Sequence, residues 1–257
     1  MKISMSFDVE PDLHTGEFKG ITHGLLNLVQ ILDKHYIKAT FFTTADCIEK
    51  YPQIFRKLKL NGHEIASHGY RHHRFDNLSI NEKENSIKKT IEVFNKYLGE
   101  NPRGFRAPQH SIDKDTLKLL SNYSFKYDSS KTPFNILQII FFPNKIRSNL
   151  INFFSNPKKH KVGNIYEIPT TAVLIPFVSI IPRVFPKVFI KIYLNFLKLF
   201  FDEMIFYAHS WDFIELPKSR IDRHFSYKRL IKNIDFIIEL LAREDRFVKM
   251  EDLINNK

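Results

Sequence analysis

The chain has 257 residues, and its 39 Lys and Arg against 28 Asp and Glu give a formal charge of +11. With 43% hydrophobic residues it is no mainly disordered protein, and a single cysteine, Cys47, excludes an internal disulfide framework and favours a reducing compartment. The suspicious uncharged apolar run, Ile168 to Pro182, is fifteen residues long and broken by Pro169, Pro176 and Pro182, which excludes a spanning helix.

Ile3 to Val9 reads as a first strand. Asp8 falls where the apolar stretch of a secretory signal would begin, so a cytoplasmic protein is expected. A helix follows from about Thr22, with Leu25, Leu26, Val29 and Leu32 on one face. Ala39 to Thr43 is a second strand, Pro52 opens a helix that Gly62 ends, and Glu64 to Ser67 is a third strand running into His68. Ser79 and Glu82 have capping-box spacing at the head of a helix to Leu98, which Gly99 stops. Gly104 to Ala107 forms a strand, a helix covers about Asp113 to Leu120, and Phe125 to Asp128 is the next strand. Residues 131–164 are aromatic, Asn-rich and interrupted by Pro143 and Pro157, which predicts an irregular insertion. Order returns with a strand over Tyr166 to Val173, an apolar helix around Lys187 to Phe201 and a strand over Met204 to His209. The last helix carries Leu230, Ile231, Ile234, Ile237, Ile238 and Leu241 on one stripe, and Phe247 to Met250 closes the sheet. Strand and helix alternate without repeat or linker, which predicts one α/β domain over residues 1–257 with parallel strands.

Four segments look unlike scaffold, and each follows a predicted strand, where parallel α/β folds place their active sites. In Ser6-Phe7-Asp8-Val9-Glu10 the two carboxylates alternate with apolar residues and point to one face, as a metal-binding and proton-accepting pair or as a solvated strand end. In Ser67-His68-Gly69-Tyr70-Arg71-His72-His73, His68 and His72 stand four apart, the spacing that puts two imidazoles on one side of a helical turn. The alternative is a polar loop that happens to hold histidines. Phe105-Arg106-Ala107-Pro108 offers a guanidinium able to hold a carboxylate, or a surface arginine before a turn. In Tyr207-Ala208-His209-Ser210-Trp211-Asp212, His209 is a proton donor near neutral pH, and Trp211 is an apolar wall or equally a core anchor.

Together Phe7-Asp8-Val9-Glu10, His68-Gly69-Tyr70-Arg71-His72, Arg106-Ala107-Pro108, Tyr127-Asp128-Ser129-Ser130 and Ala208-His209-Ser210-Trp211 resemble the ordered motifs of the polysaccharide deacetylases, carbohydrate esterase family four. The stretch Gly62 to Gly69 is especially close. The resemblance runs from about Ile3 to Asp212 and is poorest over 131–164. It implies a distorted (β/α) barrel of about seven parallel strands and a hydrolase that uses a divalent metal, zinc first and cobalt or nickel next, to remove N-acetyl groups from amino sugars. It casts Asp8 as general base, Arg106 as the residue orienting it, His209 as general acid and Asp128 as the partner tuning His209. Pro108 and Trp211 fall on the substrate side. Many members take a metal-binding aspartate from the position held here by Val9, which cannot bind metal. A branch resembling peptidoglycan deacetylases and allantoinase-like proteins spaces its carboxylates one residue apart, which puts the ligand at Glu10 beside His68 and His72. Asp12 for Glu10, and His73 for His72, stay open.

Three further readings stand beside this one. The amide cleaved belongs to a formyl or acetyl amino sugar on a lipid carrier, or to a ureide-like molecule. Alternatively the chain is a metal-free glycan-binding relative. The charge excess admits nucleic acid, but no binding module accompanies it, so none is expected. The apolar and basic stretch over residues 173–201 either leans on the inner face of a membrane or is a buried barrel helix with its lead-in loop. The oligomeric state is left unassigned.

Overall fold

The structure is a computed structural model and describes residues 1–12, 15–136, 150, 152–216 and 224–255. Its first strand, β1 (Lys2–Val9), is the axis of the molecule. Strict alternation sorts its side chains. Ile3, Met5, Phe7 and Val9 enter the core cluster shared with the surrounding helices, while Ser4, Ser6 and Asp8 fall on the opposite face of the strand. β1 is flanked by β10 (Glu203–His209) on one side and by β2 (Thr40–Thr43) on the other. The path continues through β3 (Glu64–Ser67), β4 (Gly104–Phe105), β5 (Tyr127–Asp128), β7 (Ile165–Glu167) and β6 (His160–Val162). The seven strands from β10 to β7 along this path run parallel, and the sheet curls into a half-barrel within one α/β domain.

Helices α1 (Leu25–Lys34), α2 (Ala45–Lys50), α3 (Pro52–Leu60), α4 (Ile80–Leu98) and α5 (Lys114–Asn122) join the strands of the first half. α4 starts as its sequence predicts. Ser79 Oγ accepts from the Glu82 backbone N–H, the Glu82 carboxylate accepts from the Ser79 backbone N–H, and Gly99 ends the helix at a φ of 74°. α2, absent from the sequence reading, is too short to show helical periodicity. β4 and β5 are two residues each, shorter than expected, because the curled sheet pairs only their ends.

The second half departs further. Residues 137–149 and 151 of the expected insertion lie outside the described residues, but its end is regular: β6 pairs antiparallel with β7. The strand expected over Tyr166 to Val173 stops at Glu167, because Pro169 has no N–H for the ladder, and β8 (Ala172–Val173) pairs with β9 (Ile175–Pro176) in a separate hairpin. A short helix, α6 (Ile180–Val184), tolerates Pro182 in its first turn, where an N–H has no helical partner. α7 (Lys187–Lys198) and α8 (Tyr227–Leu241) follow the predicted helices. The expected closing strand is β11 (Arg246–Phe247), parallel to the start of β1, and residues Met250–Leu253 turn beneath it into the barrel floor with Phe42, Ala66, Tyr127, Ile168 and Ile205.

Candidate metal centre and active site

All four chemistry-bearing segments meet at the carboxyl ends of β1, β3, β4 and β10. Asp8 pairs in register with His209, and Glu10, just past the strand, falls on the same side as Asp8. Glu10 is buried, 6% exposed, and its Oε2 lies 2.6 Å from His72 Nε2 and 3.3 Å from His68 Nε2. His68 Nδ1 is 2.7 Å from the Arg106 carbonyl. Donation to that carbonyl puts the ring proton on Nδ1 and turns the Nε2 lone pair toward Glu10.

Three acceptor atoms, one each from Glu10, His68 and His72, therefore lie within 4.8 Å of one another. The buried Glu10 Oε2 and His68 Nε2 find no hydrogen-bond partner. Converging lone pairs repel unless a cation sits among them, so the donor set fits a divalent ion with open positions for water and substrate. The helical turn expected for His68 and His72 is absent: the segment bends at Gly69, with a φ of 83°, and the rings still come to 5.3 Å. Asp12 does not compete with Glu10, because its carboxylate caps a turn, accepting from the Lys19 and Gly20 backbone N–H groups at 2.7 and 2.8 Å. His73 is exposed and outside the cluster.

Asp8 is held from behind. Arg106, fully buried, donates from Nη1 to Asp8 Oδ1 at 2.9 Å, and its other donors reach Ser6 Oγ, Ser129 Oγ and the Ser129 carbonyl. The guanidinium lies over the Phe42 ring at 4.1 Å. With all three of its nitrogens engaged, the fork fixes the Asp8 rotamer and leaves Oδ2 facing His68 Nε2 at 3.7 Å.

Across the site, His209 stacks on Trp211 with ring centroids 4.1 Å apart, and its Nε2 lies 2.6 Å from the Tyr207 hydroxyl and 3.9 Å from Glu10 Oε1. The carboxylate at its other nitrogen is Asp212, at 3.5 Å from Nδ1, and Arg183 in turn holds Asp212. This corrects the expected role of Asp128, whose carboxylate accepts from Ser130 Oγ and N and faces Glu167. The family resemblance drew attention to Asp128; the i, i+3 relation of His209 to Asp212 is the signal that finds the carboxylate beside it. Tyr207, also missed, is legible from alternation, since it shares a strand face with His209.

Trp211 is both wall and anchor: it is 9% exposed, and its indole N–H points to Glu10 Oε1 at 3.4 Å. Pro108 is buried in a short turn whose carbonyl accepts from Ser111 Oγ, and that turn carries His110 to the Tyr207 ring.

The charges follow from these contacts. Burial alone would raise the Glu10 carboxyl, but His68, His72 and His209 outweigh it and hold the group well below the usual carboxylate range. Burial disfavours the His209 imidazolium, yet Asp212, Glu10 and Asp8 together raise its pKa above the usual value. Burial pushes the Cys47 thiol up to about 12, which removes it as a nucleophile.

A family model described as polysaccharide deacetylase matches residues 2–127. A Helicobacter pylori peptidoglycan deacetylase is 29% identical over 123 residues, covering 48% of this chain and 42% of that protein. A Bacillus cereus peptidoglycan-N-acetylglucosamine deacetylase is 32% identical over 124 residues, with the same coverages. The chain thus spans about two fifths of the length of these curated relatives. Among solved structures, a Mycobacterium smegmatis protein described as a polysaccharide deacetylase superposes with a TM-score of 0.71 at 18% identity, covering 98% of this chain and 88% of that one. The PuuE allantoinase superposes at 0.67 and 14% identity, with the same coverages.

Proposed function

Because the chain belongs to the polysaccharide deacetylase family, we propose that it is a hydrolase that removes the N-acetyl group from an amino sugar in a glycan or glycan precursor, with a divalent ion held by Glu10, His68 and His72. The observation that carries the proposal is the convergence of three acceptors, two of them buried and His72 half-buried, beside an Arg106-anchored Asp8, with His209 on the opposite wall. When bound, such an ion supplies Lewis acidity, polarising the acyl carbonyl and acidifying water.

The chain's own residues divide the remaining work. Asp8 accepts the proton of the water that attacks the acyl carbon, and Arg106 keeps its carboxylate aimed. His209, protonated with the support of Asp212, donates to the nitrogen of the departing amine, which cannot leave as an anion. The Tyr207 phenol is pushed well above its usual range by burial and by Asp8 and Glu10, so it stays protonated and steadies His209 Nε2. Trp211 and the turn at Pro108 shape the walls against which a sugar ring packs.

The test is metal content of the purified protein beside Glu10→Ala and His68→Ala, followed by acetate release from N-acetylglucosamine oligomers. About one divalent ion per chain, lost in both variants together with acetate release, is the expected result. A parent that binds no zinc, cobalt or nickel and releases no acetate would overturn the proposal in favour of a glycan-binding relative.

A further inference from the structure

Helix α7 is apolar on two sides. Ile190, Tyr193, Leu194 and Leu197 enter the core, as a barrel helix requires. The opposite side carries Val188, Ile192 and Phe196, spaced by four, and the stripe continues past the helix end with Leu199 and Phe200. These five are 73%, 62%, 42%, 78% and 49% exposed. An exposed apolar stripe of this kind marks a docking surface, and nothing in the proposed chemistry uses it.

Basic side chains border the stripe where α7 begins. Lys187 and Lys191 are exposed on α7, and Lys228 and Lys232 stand one turn apart on the exposed side of α8. Lys187, Lys228, Arg229 and Lys232 line a groove of about 420 Å³ between the two helices. The acid in that groove, Asp235, is already engaged by Lys34 and His35. At the other end of α7, Lys198 is neutralised by Asp245 and Glu244. Positive charge therefore collects at one end of an apolar stripe.

We infer that the α7 face, with the α7–α8 groove, docks on an anionic lipid bilayer: Val188, Ile192 and Phe196 enter the headgroup region while Lys187, Lys191, Lys228 and Lys232 meet lipid phosphates. Charge complementarity selects this occupant. Apolar side chains flanked by lysines suit the boundary between acyl chains and anionic headgroups. A second copy fits less well, since five side chains fall short of the roughly 800 Å² per partner of a stable interface. The expectation for residues 173–201 is thereby narrowed to the outer side of α7 and the residues after it, because Phe177 and Ile181 are buried and Leu174, though exposed, lies apart from the stripe on the β8–β9 hairpin.

The surface is independent of the metal centre, so the test reads binding alone. The full chain is sedimented with vesicles of phosphatidylcholine and phosphatidylserine, and with phosphatidylcholine alone. Binding to the mixed vesicles only, weakened by salt, is expected. Lys228→Glu with Lys232→Glu, and separately Ile192→Ser with Phe196→Ser, should each reduce it, the lysine pair by at least about 20-fold at roughly fivefold per charge. Unchanged thermal unfolding of both variants ties the loss to the surface. Failure to sediment, or binding that survives the apolar substitutions, overturns the inference. A concentration-dependent dimer abolished by Ile192→Ser would instead assign the face to a second copy.

Discussion

Glu10 and Glu64 are both buried to 6% exposure, one at the mouth of the half-barrel and one at its floor, yet their charges are set in opposite directions. Glu10 faces His68 and His72 and stays well below the usual range. Glu64 accepts from the hydroxyls of Thr40 and Tyr127 and from the Glu251 N–H, and burial together with the nearby Glu251 carboxylate pushes it up to about 7. Burial is common to both, so it does not decide the charge. The neighbours do: imidazoles on one side, neutral hydroxyls and a second acid on the other. The mouth is arranged to keep charge, the floor to expel it.

The largest expected effect tests the mouth. Asp8→Asn should lower acetate release by about 10²–10⁴-fold, the usual range for a general base, while circular dichroism and thermal unfolding stay near the parent. A loss below tenfold would remove Asp8 from the chemistry. Arg106→Leu should act on stability instead, because it leaves the buried Asp8 without its cation. The expected cost is about 3–5 kcal/mol in urea unfolding. A cost under about 1 kcal/mol would show that the mouth does not depend on its ion pair.

The floor is tested by pH. Folded Glu64 holds its proton more tightly than the unfolded chain does. Its contribution to stability is therefore complete below about pH 4.5 and is lost as pH rises through about 7. Glu64→Gln keeps the shape and removes the titration, so the variant should gain on the parent by up to about 3 kcal/mol between about pH 5 and about pH 8. A difference that does not change with pH would mean an ionised Glu64 and would erase the contrast with Glu10. The smallest effect belongs to neither region: Ser79→Ala, at the exposed head of α4, should cost about 1 kcal/mol throughout the window from about pH 5 to about pH 8, where the Glu82 carboxylate that shares its capping box stays ionised, a baseline against which the floor's pH dependence can be read.

The motifs at the mouth were legible because each lies within a few residues of a strand end. The alternation Ser6, Asp8, Glu10 gave the shared face of the two carboxylates, and the stretch from Gly62 to Gly69 delivered His68 with its strand. Spacing misled in one respect: His68 and His72 meet across a bend at Gly69, not along a helical turn. Pairings made across the fold were out of reach. Nothing local says that Arg183 holds Asp212, or that Glu64 lies beside Glu251, since these partners are far apart in the chain and are joined only when the sheet curls.

The sequence by itself determined the alternation of strands and helices, the capped α4, the motifs and most of the candidate residues that the strand ends bring together, because periodicity, caps and short motifs are local properties of the chain. The tertiary structure decided that Arg183 holds Asp212, which buried glutamate keeps its charge, and which side of α7 faces outward. Those outcomes depend on burial and on the charges of distant neighbours, and both exist only once the chain has closed on itself.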